Sequence, residues 1–131
     1  MTTFHSRVIA AVAVIWTATA AHSIGLTPLE KEGNSRSDRK GFYLTVLNEG
    51  SRSIVVDAHV MADEFGNRQR AVKVMPEKFK VGPKSARKIV LVIGNLDENE
   101  TREVSVCVST RKRNTNTLLR ICGDYRAFQR R

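Results

Sequence analysis

Aromatic side chains are scarce in this chain: 5 Phe, 2 Tyr and 1 Trp among 131 residues, or 6%. Any core must therefore be built from aliphatic side chains. The hydrophobic fraction of 41% is too high for a disordered chain, and no collagen-like or low-complexity tract is present. The length allows one domain and excludes two of ordinary size. Beyond residue 23 the apolar runs are short and broken by charge, so none of them can span a bilayer. No helical period is visible there either, which argues against a helical bundle.

The residues that carry chemistry are as sparse. There are 3 histidines and 2 cysteines. His5 and His22 lie in the N-terminal segment, so a Ser-His-Asp triad in the remainder has to be built around His59, and no G-x-S-x-G occurs. There is no H-E-x-x-H, no P-loop and no G-x-G-x-x-G. One histidine and two cysteines are poor zinc-ligand material. The acids Asp63-Glu64, Asp97-Glu98 and Glu100 fall in polar loops, where carboxylates are solvated rather than paired for acid–base work. The expectation is a non-enzymatic protein without metal or cofactor. Asn99-Glu100-Thr101 is a formal glycosylation sequon and a weak pattern.

The N-terminus is the most legible segment. Met1 to Arg7 carries one positive charge, and Val8 to Trp16 is an apolar run. The small residues Thr17-Ala18-Thr19-Ala20-Ala21 follow. This is the pattern of a secretory signal, with cleavage before Ala21 or, at the competing site Ala21-His22-Ser23, before Ile24. A membrane anchor is the other reading, but the run is shorter than the ~20 residues a span requires. Residues 1–23 are thus expected to be a cleaved signal peptide and 24–131 a soluble domain outside the cytoplasm, with no stable membrane insertion. Losing Arg7 from 22 basic residues leaves 21 against 13 acidic ones, a net charge of +8.

From residue 24 onward, short β-branched runs alternate with turn signals roughly every ten residues, the pattern of an all-β sandwich. Strands are expected at Ile24 to Leu29, Phe42 to Leu47, Ile54 to Met61 and Arg87 to Ile93. Others are expected at Arg102 to Ser109 and Thr117 to Phe128. Ala71 to Met75 is expected at an edge, because Pro76 stops it, and Phe79-Lys80-Val81 leads into a turn at Gly82-Pro83-Lys84. Glu30 to Lys40 reads as a polar loop, as does Asp63 to Arg70 with a turn at Gly66-Asn67. About seven strands in this length favour a single immunoglobulin-like sandwich; a small open barrel is the structural alternative.

Cys107 and Cys122 lie in an exported chain, hence in an oxidising compartment. If the last two strands form a hairpin, pairing 107 with 122 puts Leu119 and Ile121 on the face of Val104, Val106 and Val108, with both sulfurs on the other. A bridge closing a loop of about 15 residues contributes on the order of 3 kcal/mol. No C-x-x-C spacing marks a redox catalyst.

The basic balance alone would admit a nucleic-acid partner, with clusters at Arg111-Lys112-Arg113 and at Arg126, Arg130 and Arg131. Export argues against nucleic acid; an acidic protein surface or an anionic envelope polymer is the better-fitting partner, and solvated positive loops are the commonest explanation of such clusters.

The order of landmarks resembles the N-terminal immunoglobulin-like domain of periplasmic pilus-assembly chaperones, especially those of the archaic chaperone–usher branch. The matching segments are Leu26-Thr27-Pro28-Leu29, Thr45-Val46-Leu47-Asn48-Glu49-Gly50 and Ile54-Val55-Val56. Met75-Pro76 and Phe79-Lys80-Val81-Gly82-Pro83 follow, the last with Gly and Pro reversed relative to the family. Arg102-Glu103 stands where the sixth strand opens, and Leu118 to Arg130 where the seventh runs, ending in Phe128-Gln129-Arg130. The resemblance covers nearly all of residues 24–131.

It implies a chaperone-like, periplasmic protein that lends its last strand to a pilin-like or other envelope subunit. Leu119 and Ile121 would be the donor residues, with Thr117 where a third apolar residue is expected; the other reading is that both pack in their own core. The family also anchors a subunit carboxylate on two basic residues. Arg126 stands at one of these positions. Glu30 occupies the other, with Lys31 next to it but facing the opposite side of a strand. Family members continue into a second domain, whose cleft a second protein or a homodimer would have to supply. A structural or adhesive envelope component with the same sandwich is the alternative function.

Overall fold

In the computed structural model, which describes residues 24–62, 71–111 and 117–130, the chain forms nine strands and no helix among those residues. They are β1 (Ile24–Thr27), β2 (Glu30–Ser35), β3 (Lys40–Asn48), β4 (Ile54–Val60), β5 (Val72–Met75), β6 (Lys78–Val81), β7 (Ser85–Ile93), β8 (Thr101–Arg111) and β9 (Leu118–Gln129). One sheet has the order β1-β3-β7-β5, the other β2-β9-β8-β4-β6. The signal-like segment 1–23, the turn expected at Gly66-Asn67, and Lys112, Arg113 and Arg131 lie outside the described residues.

The sandwich follows from alternation. Phe42, Leu44 and Val46 of β3 and Ile89, Leu91 and Ile93 of β7 point inward from one sheet; Val104, Val106 and Val108 of β8 point inward from the other. All are fully or almost fully buried, each worth about 1.5–3 kcal/mol relative to exposure. Among the described residues, aromatic contact across the layers is limited to a tilted pair, Phe42 and Tyr125, with ring centres 6.0 Å apart.

Asn48 ties one end of the sandwich together. Its Nδ2 donates to the carbonyls of Arg52 (2.8 Å), Val81 (3.2 Å) and Gly82 (2.9 Å), and its Oδ1 accepts from the Gly50 amide (3.0 Å). Asn48 thus binds the end of β6 to the β3–β4 connection.

One expectation is corrected. Glu30 to Ser35 is not loop but strand β2, which runs parallel to β9 in register Glu30↔Asp124 through Ser35↔Gln129. Its composition hid it: an edge strand held by main-chain bonds and largely exposed has no need of apolar alternation. The chain therefore leaves the first sheet after Thr27, crosses at Pro28-Leu29, and enters the second sheet at Glu30.

Candidate functional site

The crossover divides β9 into two halves. Asp124 to Gln129 is flanked by β8 on one side and β2 on the other. Leu118 to Gly123 is paired with β8 alone, and no strand among the described residues covers its other edge. The Asp124 amide donates away from β8, to the Leu29 carbonyl at 2.8 Å. Strand parity then turns the main-chain N–H and C=O of Cys122, Arg120 and Leu118 toward the open side. The pairing of Cys107 opposite Cys122 agrees, since their Cα atoms are 4.1 Å apart, the short spacing of a non-hydrogen-bonded pair.

Local packing sets where the edge opens. Tyr125 is fully buried and its hydroxyl donates to the Pro28 carbonyl at 2.6 Å. Burial, reinforced by the neighbouring Asp124 charge, pushes its pKa up to about 12. Gly123 makes this possible: a Cβ there would lie 2.3 Å from the Tyr125 hydroxyl oxygen and 2.8 Å from the Leu29 carbonyl oxygen. The crossover presses onto β9 at Gly123 and Asp124, and before that point no strand among the described residues pairs with the edge of β9 away from β8.

Leu119 and Ile121 share the inward face, opposite Thr110 and Val108 of β8. Ile121 packs against the core cluster, while Leu119 is half-buried and lines a groove at the end of the sandwich. Thr117, on the same side by parity, is exposed, and so is Leu118. The groove has a volume of about 1000 Å³; Ile24, Ile54, Leu118 and Leu119 supply apolar wall, and Arg52 and Arg111 supply charge.

The disulfide joins Cys107 to Cys122 across the hairpin on the face away from the core. Arg120 lies over it, with Nη2 3.5 Å from the Cys107 sulfur and 3.3 Å from His59 Nε2. His59 is an exposed residue of β4 on the outer face. Among the described residues no group of three or more His, Cys, Asp or Glu could hold a metal ion. No helix among them is long and apolar enough to cross a membrane.

Arg126 and Lys31 are not brought together. Arg126 projects from the outer face of the second sheet, where it donates to Glu32 (3.1 Å) and Glu103 (3.3 Å). Lys31 is paired with Tyr125 in register and so lies on the opposite side of the sheet from Arg126. The clamp between Tyr125 and Pro28 was not visible in the sequence, because 97 positions separate the two residues.

No protein-family description and no curated protein sequence matches the chain. Solved structures do match in shape. The PapD-like domain 7 of human CEP192 superposes with a TM-score of 0.69 at 10% identity, covering 97% of both chains. The Salmonella enterica SafB chaperone, solved in complex with the SafA pilin, gives 0.65 at 19% identity over 86% of this chain and 56% of its own. The Acinetobacter baumannii structure of CsuC with CsuE, a chaperone–tip adhesin subunit pre-assembly complex from archaic chaperone–usher Csu pili, gives 0.65 at 12% identity over 82% and 57%. The chain thus has the PapD-like immunoglobulin fold and spans little more than half the length of the two bacterial chains. Bacterial chaperones and a human protein share that fold, so function has to be argued from the site.

Proposed function

We propose that the chain is a non-enzymatic, chaperone-like protein of the bacterial periplasm that captures a pilin-like or other envelope subunit by β-strand addition along Leu118–Gly123. The observation that carries this reading is the half-covered β9: a strand anchored by β2 and Tyr125 in its second half offers, in its first, main-chain donors and acceptors that no strand among the described residues takes up. A partner lacking one strand can satisfy those groups, while side chains on alternate positions enter its groove. Leu119 and Ile121 are the donor side chains; Ile121 divides its surface between its own core and the partner. Location in the periplasm rests on the signal-like residues 1–23 and on the shared fold with pilus chaperones.

The test is purification of the tagged protein from periplasmic extract, followed by mass spectrometry and by hydrogen exchange on the isolated complex. The expected result is a stoichiometric small β-rich subunit released only by denaturant, with the amides of Leu118, Arg120 and Cys122 protected in the complex and open without it. A monomer with an intact disulfide and no partner would overturn the proposal.

A further inference from the structure

The open edge ends in a groove whose lining carries more positive than negative charge. Arg52 stands on the connection between β3 and β4, and Arg111 closes β8 directly opposite Leu118. Both are exposed and both line the groove next to Leu119. Neither guanidinium has a hydrogen bond or ion pair among the described residues. By contrast, Arg126 is held by Glu32 and Glu103, Arg102 by Glu100, and the Lys84 ammonium by the Glu49 carbonyl. Lys78 adds a third cation to the groove lining, against which stands a single carboxylate, Asp57. Acids are not lacking elsewhere: Glu30, Glu32, Glu103 and Asp124 all lie on β2, β8 or β9, away from this groove.

From this charge pattern, and resting on the strand-addition reading above, we infer that the segment added along Leu118–Gly123 carries a side-chain carboxylate at the end lying beside Leu118, and that Arg52 and Arg111 select for it. The occupant is an extended, acidic-ended β-segment. Its main chain is read by β9, its apolar side chains by Leu119, Ile24 and Ile54, and its acid by the two guanidiniums. Arginine suits that role, because its planar fork accepts a carboxylate bidentately and stays charged at any pH the chain meets. Arg52 and Arg111 are thus specificity residues set at the end of the edge, on different elements from Arg126.

The test uses the full chain and two short synthetic peptides, acetylated and amidated so that only side chains carry charge. They share the same alternation of Val and Thr and differ only in Glu or Gln at both ends, which removes dependence on strand direction. Affinities are read by fluorescence anisotropy. The Glu peptide is expected to bind about five-fold more tightly than the Gln peptide, with the difference shrinking as salt rises. The double variant Arg52→Gln, Arg111→Gln is expected to bind both equally, at the level of the Gln peptide. Equal binding of the two peptides by the native chain overturns the inference and leaves strand addition standing. A preference for Glu that survives in the double variant also overturns it, because the carboxylate is then read elsewhere. Binding of neither peptide removes both the inference and the strand-addition reading beneath it.

Discussion

The Tyr125 hydroxyl donates to the Pro28 carbonyl at 2.6 Å, locking the last strand to the point where the first segment changes sheets. The bond has a pH signature. Tyr125 is raised from 10.0 to about 12, so the folded state holds its proton more tightly than the unfolded state does. Its contribution is whole below pH 10, declines as the unfolded chain ionises, and is spent once the pH has passed about 12. Denaturant unfolding across that interval should show a loss of roughly 2–3 kcal/mol that Tyr125→Phe does not show. At neutral pH the same variant should cost about 1 kcal/mol for the lost hydrogen bond. An identical alkaline slope in both proteins would remove Tyr125 from the account.

Gly123→Ala should lower stability by about 1–3 kcal/mol, because the new methyl meets the Tyr125 hydroxyl and the Leu29 carbonyl. Tyr125→Phe in the same chain should recover only part of this, since the backbone oxygen stays in place. Thermal melts of the two single variants and the double variant check it.

Replacing both Cys107 and Cys122 by Ala should cost on the order of 3 kcal/mol, the value for a bridge across 15 positions. The hairpin has a paired register on both sides of the bridge, from Thr101↔Phe128 to Arg111↔Leu118, so the fold should survive. Circular dichroism and chemical unfolding, compared with the oxidised protein, give the answer.

Leu119 and Ile121 should separate. Leu119→Asp places a charge in an open groove and should cost about 1 kcal/mol while abolishing partner capture. Ile121→Asp puts a carboxylate against the core and should cost about 2–4 kcal/mol. If Leu119→Asp melted like native protein and still retained its partner, the donor role of Leu119 would fall.

Arg126→Ala should change stability by less than about 1 kcal/mol, because its two ion pairs are exposed and weak singly. Its effect on partner affinity distinguishes two uses of the side chain. If its ion pairs with Glu32 and Glu103 are its use, affinity should stay unchanged; a loss matched by that of Lys31→Ala would assign both to a carboxylate anchor. Titration of the purified partner against each variant reads this directly.

Much of this protein was determined by local pattern. Val104, Val106 and Val108 alternate with Glu103, Ser105 and Cys107, and that period alone defines a strand with one buried face. The turn at Gly82 to Lys84 marks where β6 ends, and the hairpin register puts Cys107 opposite Cys122. These features are legible because they depend on a few adjacent residues and on a side-chain period of two. Others depend on distant partners. Glu30 to Ser35 is a strand only because β9 lies alongside it; its own residues ask for solvent. The opening of β9 at Gly123 needs Tyr125, Pro28 and Leu29 to meet. Arg126 became committed to Glu32 and Glu103 while Arg52 and Arg111 found no side-chain partner among the described residues, and nothing in their sequence neighbourhoods distinguished them. Tertiary structure decided these points, because main-chain pairing and charge compensation are settled by whichever groups the fold brings within a few ångströms.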